Sequence, residues 1–342
     1  MRKKIVSASA ILLALAFLSS SAYSWNFATH AYIANKIGKI LPLGNYNEMY
    51  GAMAPDLFNF EFSLMADPTL YAMVRGFTHG IPGTVPEENN ENFLSVWYQA
   101  NWGLKKAAAY GYVSHNDVWG ADFVAHWQAN PFDPQDNIPF PYGVPDPTSQ
   151  PPGYVILLSV QLDLALNFQG VWRAMGLQDD YDTRLMFCHN IIEYAGDLIV
   201  KRADPLIGKK VLLAAALRTP EFANLLKAAF PLVCTPMIDA AEPKYREFIM
   251  QYGLILLLPE ETAIAIMADQ LADLAIDYFE FLHPEAPPGS FDSWKPQLVE
   301  FGKAAIAGAV EICVIANYMD EINLLTIPFV KGQMVAHGVL YW

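Results

Sequence analysis

Histidines lie near acidic residues at several points in this sequence, at spacings that suit metal binding. His189 and Glu193 are four residues apart, which places them on one face of a helix. Asp122 and His126 have the same spacing, and His115 precedes Asp122 by seven residues. Imidazole nitrogen and carboxylate oxygen are ligands that zinc accepts together. With 35 Asp and Glu in the chain, one such pair arises easily by chance, so the prediction rests on the whole set.

The first 24 residues have the three parts of a secretory signal peptide. MRKKIV provides a basic start, ILLALAFLSS an apolar core, and AYS the small residues before a cleavage site. Cleavage would leave Trp25 with a free α-amino group, five residues before His30. That amino group, a peptide carbonyl and the imidazole can chelate one metal ion. We therefore predict a secreted or periplasmic protein, whose mature chain of residues 25–342 gains a metal ligand by processing.

Two further residues belong to the same set, Asp56 in GAMAPD and His79 in GFTHG. The order along the chain is a processed tryptophan, an early histidine, Pro-Asp, a lone histidine, a His/Asp/His cluster and an HxxxE pair. This order resembles the zinc-dependent phospholipase C family, to which the zinc single-strand-specific nucleases are related. The resemblance covers about residues 25–197. It implies an all-α domain that binds three zinc ions.

The resemblance also implies how the ligands are divided among the three ions. The first zinc would be bound by Trp25, through its amino nitrogen and carbonyl, and by His30, with a bridging aspartate. The second would be bound by Asp56, His79 and His115 with the same aspartate, and the third by His126, His189 and Glu193. Asp56 is in addition the candidate catalytic residue, as general base on the attacking water.

The bridging aspartate is displaced relative to the family pattern. The family places it four residues after the first histidine of the cluster, and Trp119 stands there in this chain. Asp122 and Asp117 are the two alternatives. We favour Asp122, which a distortion at Trp119-Gly120 would bring beside His115. Asp117 and Asp197 are candidates to orient the imidazoles, as carboxylates commonly do around metal sites.

The function that the resemblance implies is hydrolysis of phospholipid headgroup esters by attack of a zinc-bound hydroxide. Zinc lowers the pKa of bound water to about 7, and paired ions stabilise the attacking and leaving oxygens of a phosphoryl group. One alternative is a nuclease or 3′-nucleotidase on the same three-zinc scaffold. Another is a non-catalytic zinc-binding helical protein.

The charge of the chain bears on the partners. The sequence has 21 Lys and Arg against 35 Asp and Glu, a formal net charge of −14, and loss of the signal peptide removes three of the basic residues. A long nucleic acid requires a basic surface, so we expect none as a partner. A phospholipid or another phosphoester, with a membrane surface as a further partner, suits the high apolar content of 54%.

Apolar residues at helical spacing predict an all-α fold, and no segment shows the alternation typical of strands. The predicted helices are 29–41, 92–115, 155–175, 180–201, 206–217, 219–229, 241–256, 260–282 and 293–317. We expect one domain over 25–342. Its ligand-bearing part is 25–197 and its helical C-terminal part is 205–342, because no linker separates them.

A proline-rich insertion at 130–153 interrupts the helical pattern and holds eight of the 24 prolines. Its aromatic residues Phe132, Phe140 and Tyr142 could form one wall of an apolar substrate groove, and a stiff surface insertion is the alternative. The spacing of the three cysteines matches no zinc motif, and Cys188 is expected to be a packed thiol. We interpret His283 and His337 as ordinary packing or surface residues.

Overall fold

The computed structural model of this protein describes most of residues 25–342. The described residues are 26–38, 43–58, 64, 67–80, 91–127, 129, 153–174, 181–283 and 285–340. Within these ranges the regular structure is helical throughout and no strand forms, which confirms the predicted all-α fold. Trp25, residues 1–24 that were predicted to be a signal peptide, and most of the proline-rich insertion lie outside the described residues.

The helices of the first half carry most of the predicted ligands. They are α1 (Phe27–Ile37), α2 (Leu43–Met53), α3 (Pro68–Thr78), α4 (Leu94–Gln99), α5 (Gly103–His115), α6 (Ala121–His126), α7 (Tyr154–Ala165) and α8 (Phe168–Ala174). A 3-10 helix, Ala54–Phe58, directly continues α2.

Longer helices make up the second half. They are α9 (Tyr181–Ala203), α10 (Ile207–Leu217), α11 (Phe222–Ala229), α12 (Thr235–Leu257), α13 (Glu260–Leu282), α14 (Lys295–Ile315) and α15 (Ile327–Ala336). A single turn, Tyr318–Asp320, and a π-helix, Glu321–Thr326, connect α14 to α15.

Two predicted helices are each divided in the structure. The prediction of one helix over 92–115 is wrong, because the chain breaks between α4 and α5, where Gly103 adopts a φ of 63° that glycine tolerates. The prediction over 155–175 is wrong for a similar reason, since Asn167 has a φ of 48° between α7 and α8. The helix predicted over 241–256 begins earlier, at Thr235.

Two glycines allow α2 and α5 to cross at close range. A Cβ on Gly51 would lie 1.9 Å from the carbonyl oxygen of Ala108, and one on Gly111 would lie 1.8 Å from that of Glu48. No larger residue fits at either position without moving a backbone. This close approach sets the distance between the 3-10 helix after α2 and the end of α5, where two predicted ligands are found.

The C-terminal segments pack on the ligand-bearing part. Tyr32 donates a hydrogen bond to Asn323 (3.0 Å), and the rings of Phe123 and Phe329 stack at 5.8 Å. All three cysteines, Cys188 among them, are buried and free. None of the described helices combines the length and the apolar character that a bilayer-spanning segment needs.

Candidate metal centre

Eight of the predicted ligands converge from six elements, and all eight are buried. They are His30 on α1, Asp56 on the 3-10 helix, His79 after α3, His115 at the end of α5, Asp122 and His126 on α6, and His189 and Glu193 on α9. The ninth, Trp25, lies outside the described residues, directly before the residue that precedes α1.

A turn built by Asn116 brings Asp122 back beside His115. The Asn116 side-chain oxygen accepts hydrogen bonds from the amides of Val118 (2.9 Å), Trp119 (2.8 Å) and Gly120. The helix therefore stops after His115 and a new one starts at Ala121. As a result Asp122 Oδ2 lies 2.9 Å from His115 Nε2, although seven residues separate them.

Asp122 occupies the position of a bridge between two groups of donors. Its Oδ1 lies 3.3 Å from His30 Nε2, and its Oδ2 faces His115 and, at 3.8 Å, His79 Nε2. His30, His115 and Asp122 form one group whose donor atoms all lie within 4.8 Å of each other. Asp117 pairs instead with Arg75 and His126. The geometry therefore favours Asp122 over Asp117 as the shared carboxylate.

The second group consists of Asp56, His79 and His115. Asp56 Oδ1 is 3.2 Å from His79 Nε2 and 3.6 Å from His115 Nε2. Donors bound to one zinc at about 2.0 Å lie roughly 3.3 Å apart in a tetrahedron. The separations in both groups are therefore close to the edges of a tetrahedral zinc site.

The third group combines α6 and α9. His189 Nε2 lies 2.8 Å from Glu193 Oε1, as expected for residues four apart on a helix, and the His126 ring is 5.1 Å from that of His189. These three residues also have donor atoms within 4.8 Å of each other. Asp117, Asp122 and His126 satisfy the same distance limit, so the third group adjoins the first through α6.

Neither carboxylate oxygen of Asp122 accepts a hydrogen bond of acceptable geometry from the described residues, although the side chain is completely buried. An unsatisfied buried carboxylate is costly. A divalent cation at its two oxygens would remove that cost. The nitrogen and oxygen donors around it are those that zinc accepts, so the residues present fit zinc.

Three of the imidazoles are oriented through their second ring nitrogen. His115 Nδ1 donates to the carbonyl oxygen of Ala52 (2.8 Å), and His79 Nδ1 hydrogen-bonds to the hydroxyl of Thr78 (2.8 Å). Both arrangements direct Nε2 at the acidic residues. Hydrogen bonds of this kind fix the tautomer and the ring plane of metal-binding histidines.

Asp117 orients the third imidazole. His126 Nδ1 donates to Asp117 Oδ1 (2.8 Å), while Asp117 Oδ2 pairs with the guanidinium of Arg75. Despite burial, Arg75 and His126 hold the pKa of Asp117 well below its usual range, so this carboxylate stays ionised. The role predicted for Asp117 thus has a geometric basis, and Arg75, which sequence reasoning missed, is its partner. Arg75 stands four residues before His79 on α3, a spacing that would have drawn attention to it.

Asp197 does not contact an imidazole, contrary to one of the roles considered for it. Instead it accepts hydrogen bonds from the amides of Ala28 (2.9 Å) and Thr29 (2.7 Å), the Thr29 hydroxyl and the Tyr252 hydroxyl. It therefore binds the first turn of α1, next to His30. Burial, only partly offset by these bonds, raises its pKa to about 6.

Burial dominates the electrostatics of the cluster. It lowers the pKa of His30 well below its usual value, with a further contribution from His115, and it lowers the pKa of His79. For His115, burial acts in the same direction, but the carboxylates of Asp122 and Asp56 outweigh it and raise the pKa. Burial and the neighbouring acids Asp56, Asp122 and Asp197 raise the pKa of Glu193. Burial thus disfavours the charged forms of His30, His79 and Glu193.

The proline-rich insertion leaves and rejoins the described chain beside the third group. The amide of Gly153 donates to the carbonyl oxygen of His126 (3.0 Å). A Cβ at Gly153 would lie 2.2 Å from the His126 nitrogen, so only glycine fits this contact. The aromatic residues predicted to line a groove, Phe132, Phe140 and Tyr142, lie outside the described residues.

The two remaining histidines take no part in the donor groups. His283 is partly exposed and lies 3.2 Å from Glu285. His337 stacks on the Trp119 ring at 4.5 Å and pairs with Glu91 at 3.0 Å. His337 therefore packs against the turn that precedes Asp122, a packing role as predicted.

Comparison with known proteins adds no relative. No protein-family model matches the sequence, and neither the curated proteins nor the solved structures contain a significant match to it. The resemblance to the zinc-dependent phospholipase C family accordingly remains a prediction from the order of the candidate ligands along the sequence.

Proposed function

We propose that this protein is an exported zinc-dependent phosphodiesterase that hydrolyses phospholipid headgroup esters. One observation carries the proposal: Oδ1 of Asp122 faces His30, whereas its Oδ2 faces His115 and His79, so this carboxylate lies between the first and the second group of donors. A carboxylate shared in this way suits a pair of neighbouring cations, the arrangement used for in-line displacement at phosphorus. Export is supported by the signal-peptide pattern at the N-terminus.

Zinc ions held at these donors would supply Lewis acidity toward the phosphoryl oxygens and a hydroxide source near neutral pH. The residues of the chain hold the donor side chains and orient the imidazole rings. The Ala52 carbonyl and the Thr78 hydroxyl keep Nε2 of His115 and His79 directed at the shared site. Asp117 does the same for His126. These bonds preorganise the donors, which reduces the reorganisation needed during the reaction.

Asp56 is the candidate proton acceptor. Its side chain is 8% exposed, whereas that of Asp122 is completely buried. Asp56 Oδ1 is directed at His79 and His115, at 3.2 and 3.6 Å. A general base must lie within hydrogen-bond reach of the proton it removes, and Asp56 is the carboxylate of the second group.

Exposed apolar side chains support a lipid as the substrate class. Leu206 is 60% exposed, Leu254 51% and Leu257 48%. They flank the point where the start of α10 packs on the end of α12, marked by the close approach of Gly208 to Gly253. Exposed apolar side chains of this size suit contact with lipid. The net negative charge opposes binding of a long nucleic acid but not of a zwitterionic lipid.

The test begins with the protein exported from cells that process its N-terminus. Zinc per chain, the N-terminal residue and the release of phosphocholine from dihexanoyl phosphatidylcholine are measured on one preparation. We expect Trp25 at the N-terminus, about three zinc ions per chain, and hydrolysis that a chelator abolishes and zinc restores. Asp122→Asn should lose zinc and lower kcat by about 10²-fold or more. Asp269→Asn, an exposed aspartate paired with Lys295, is the matched control.

The substrates assayed in parallel separate the alternatives. Faster hydrolysis of a 3′-nucleotide than of the lipid would replace the proposal with a nucleotidase. Full zinc occupancy without hydrolysis of any phosphoester would support a non-catalytic zinc protein. An exported chain with a correct N-terminus but no zinc would overturn the metal centre itself.

A further inference from the structure

An apolar cavity of about 180 Å³ lies between α8, α9, α13 and α14, outside the metal centre. Its lining includes Phe187 and Ile191 of α9 and Leu271, Ala275 and Phe279 of α13. All five side chains are buried against their other neighbours. The cavity is therefore a feature of the helix packing and not a shallow surface depression.

The lining has only one side chain with polar atoms. This residue, Gln297, is exposed, whereas no charged residue contributes to the wall. Water needs two to four polar partners to be stable in a cavity, and this lining does not provide them. A charged ligand would be buried without a counterion, which is strongly unfavourable. The complementary ligand is uncharged and mainly hydrocarbon, with one polar group near Gln297.

The size agrees with such a ligand. An engineered cavity of roughly 150 Å³ with a similar apolar lining binds benzene. We propose that this cavity binds the alkyl chain of an uncharged amphiphile, with the hydroxyl or ester end of the molecule at Gln297. The source of the chain is a free alcohol or a neutral acylglycerol, which share this chemistry.

The cavity is separated from the metal centre by α9. Phe187 and Ile191 face the cavity, while His189 and Glu193 belong to the third donor group. A shift of two residues turns a helix by about 200°, so the two pairs project from opposite faces. A ligand in the cavity cannot reach the donor groups. The site is consequently a separate one, and its occupation stabilises the folded chain by mass action.

Calorimetric titration of the full exported protein with 1-octanol tests the proposal without any phosphoester. We expect one molecule bound per chain, with a negative heat-capacity change from burial of apolar surface. Sodium octanoate should bind at least about tenfold more weakly, because its carboxylate lacks a counterion. Monooctanoylglycerol, compared with 1-octanol, distinguishes an acylglycerol from a free alcohol as the preferred source.

A cavity-filling variant provides the second arm. Ala275→Phe should lower octanol affinity by at least about tenfold, because the larger side chain fills part of the cavity. Ala203→Phe, at an exposed alanine, should leave the affinity unchanged. Absence of saturable octanol binding by the wild-type protein would overturn the proposal, as would equal binding of octanoate. The comparison of octanol with octanoate needs no variant, so it tests the preference for an uncharged ligand even if Ala275→Phe does not fold. Neither result depends on whether the protein cleaves phosphodiesters.

Discussion

Asp197 accepts hydrogen bonds from both the amide and the hydroxyl of Thr29, at 2.7 and 2.8 Å. The helix that carries Glu193 thereby holds the helix that carries His30. Tyr318 adds a third contact, because its hydroxyl lies 3.3 Å from that of Thr29. The N-terminal helix is thus fixed by side chains that follow it by more than 160 residues.

Replacement of Asp197 by alanine should destabilise the protein strongly. The amides of Ala28 and Thr29 would lose their acceptor in a buried region, at a cost of about 1–3 kcal/mol for each unsatisfied donor. Urea unfolding of the zinc-free protein should show a loss of about 3 kcal/mol or more. Asp239→Ala, at an exposed aspartate paired with Lys227, should change stability by less than about 1 kcal/mol. Similar losses for the two variants would contradict the anchoring role.

Replacement of Asp117 by asparagine should weaken zinc binding without removing a proposed ligand. The charged acceptor for His126 Nδ1 would be lost, and hydrogen bonds of this type change metal affinity by roughly 10–100-fold. Competition with a chelator of known affinity measures the change. Glu300→Gln, a substitution at an exposed glutamate, serves as the control. Unchanged zinc affinity in Asp117→Asn would show that the charge of Asp117 does not affect metal binding through His126.

Alanine at Gly111 should separate α2 from α5. The added Cβ would clash with the Glu48 carbonyl oxygen, so we expect a loss of about 2–3 kcal/mol in the free energy of unfolding, together with weaker zinc binding. Gly332→Ala is the matched control, because nothing lies within 4 Å of its added Cβ. That change, inside α15, should stabilise the protein by about 0.5–1 kcal/mol. Equal effects at the two glycines would exclude close helix packing as the cause.

Glu321, buried in the π-helix, should make stability fall as the pH rises. Burial raises its pKa to about 8, against an ordinary value of 4.5, although a hydrogen bond from Thr326 opposes the shift. Between these two values the folded chain holds a proton that the unfolded chain releases. The contribution to stability is therefore complete below pH 4.5 and disappears as the pH passes 8.

The variant Glu321→Gln removes this titration. Its free energy of unfolding, measured in the zinc-free state from pH 5 to 8, should fall less steeply than that of the wild type, by up to about 1.4 kcal/mol per pH unit. The comparison cancels the titrations of the histidine cluster, which both proteins share. Parallel curves for the two proteins would mean that Glu321 ionises normally in the folded chain.

The all-α class could be predicted from the sequence, because helical periodicity is a local property. The donor residues followed from their order along the chain, and the structure brings eight of the nine close together, with Trp25 outside the described residues. The sequence could not predict where helices break. The interruption before Gly103 depends on the positive φ of that residue, and the spacing of apolar residues does not predict such a φ. The break at Asn167 depends in the same way on a left-handed residue.

The pairing of Asp122 with His115 shows the same limit more clearly. In a continuous helix, residues seven apart lie about 10 Å from each other. The observed 2.9 Å requires the turn capped by Asn116, whose side chain satisfies three amides at once. A backbone partner such as the Ala52 carbonyl cannot be predicted from the sequence either, because any residue type could supply the same carbonyl group.

The hydrogen bond between Gly153 and His126 bears on which part of the sequence can vary without disturbing the fold. Both ends of the proline-rich insertion meet at one point of the scaffold, so its length and composition can vary while α6 and α7 stay in register. Loop-closure entropy rises only slowly with length, by about 0.6 kcal/mol for each doubling. We therefore expect variation within 130–152 to leave Asp122 and His126 of α6 in place.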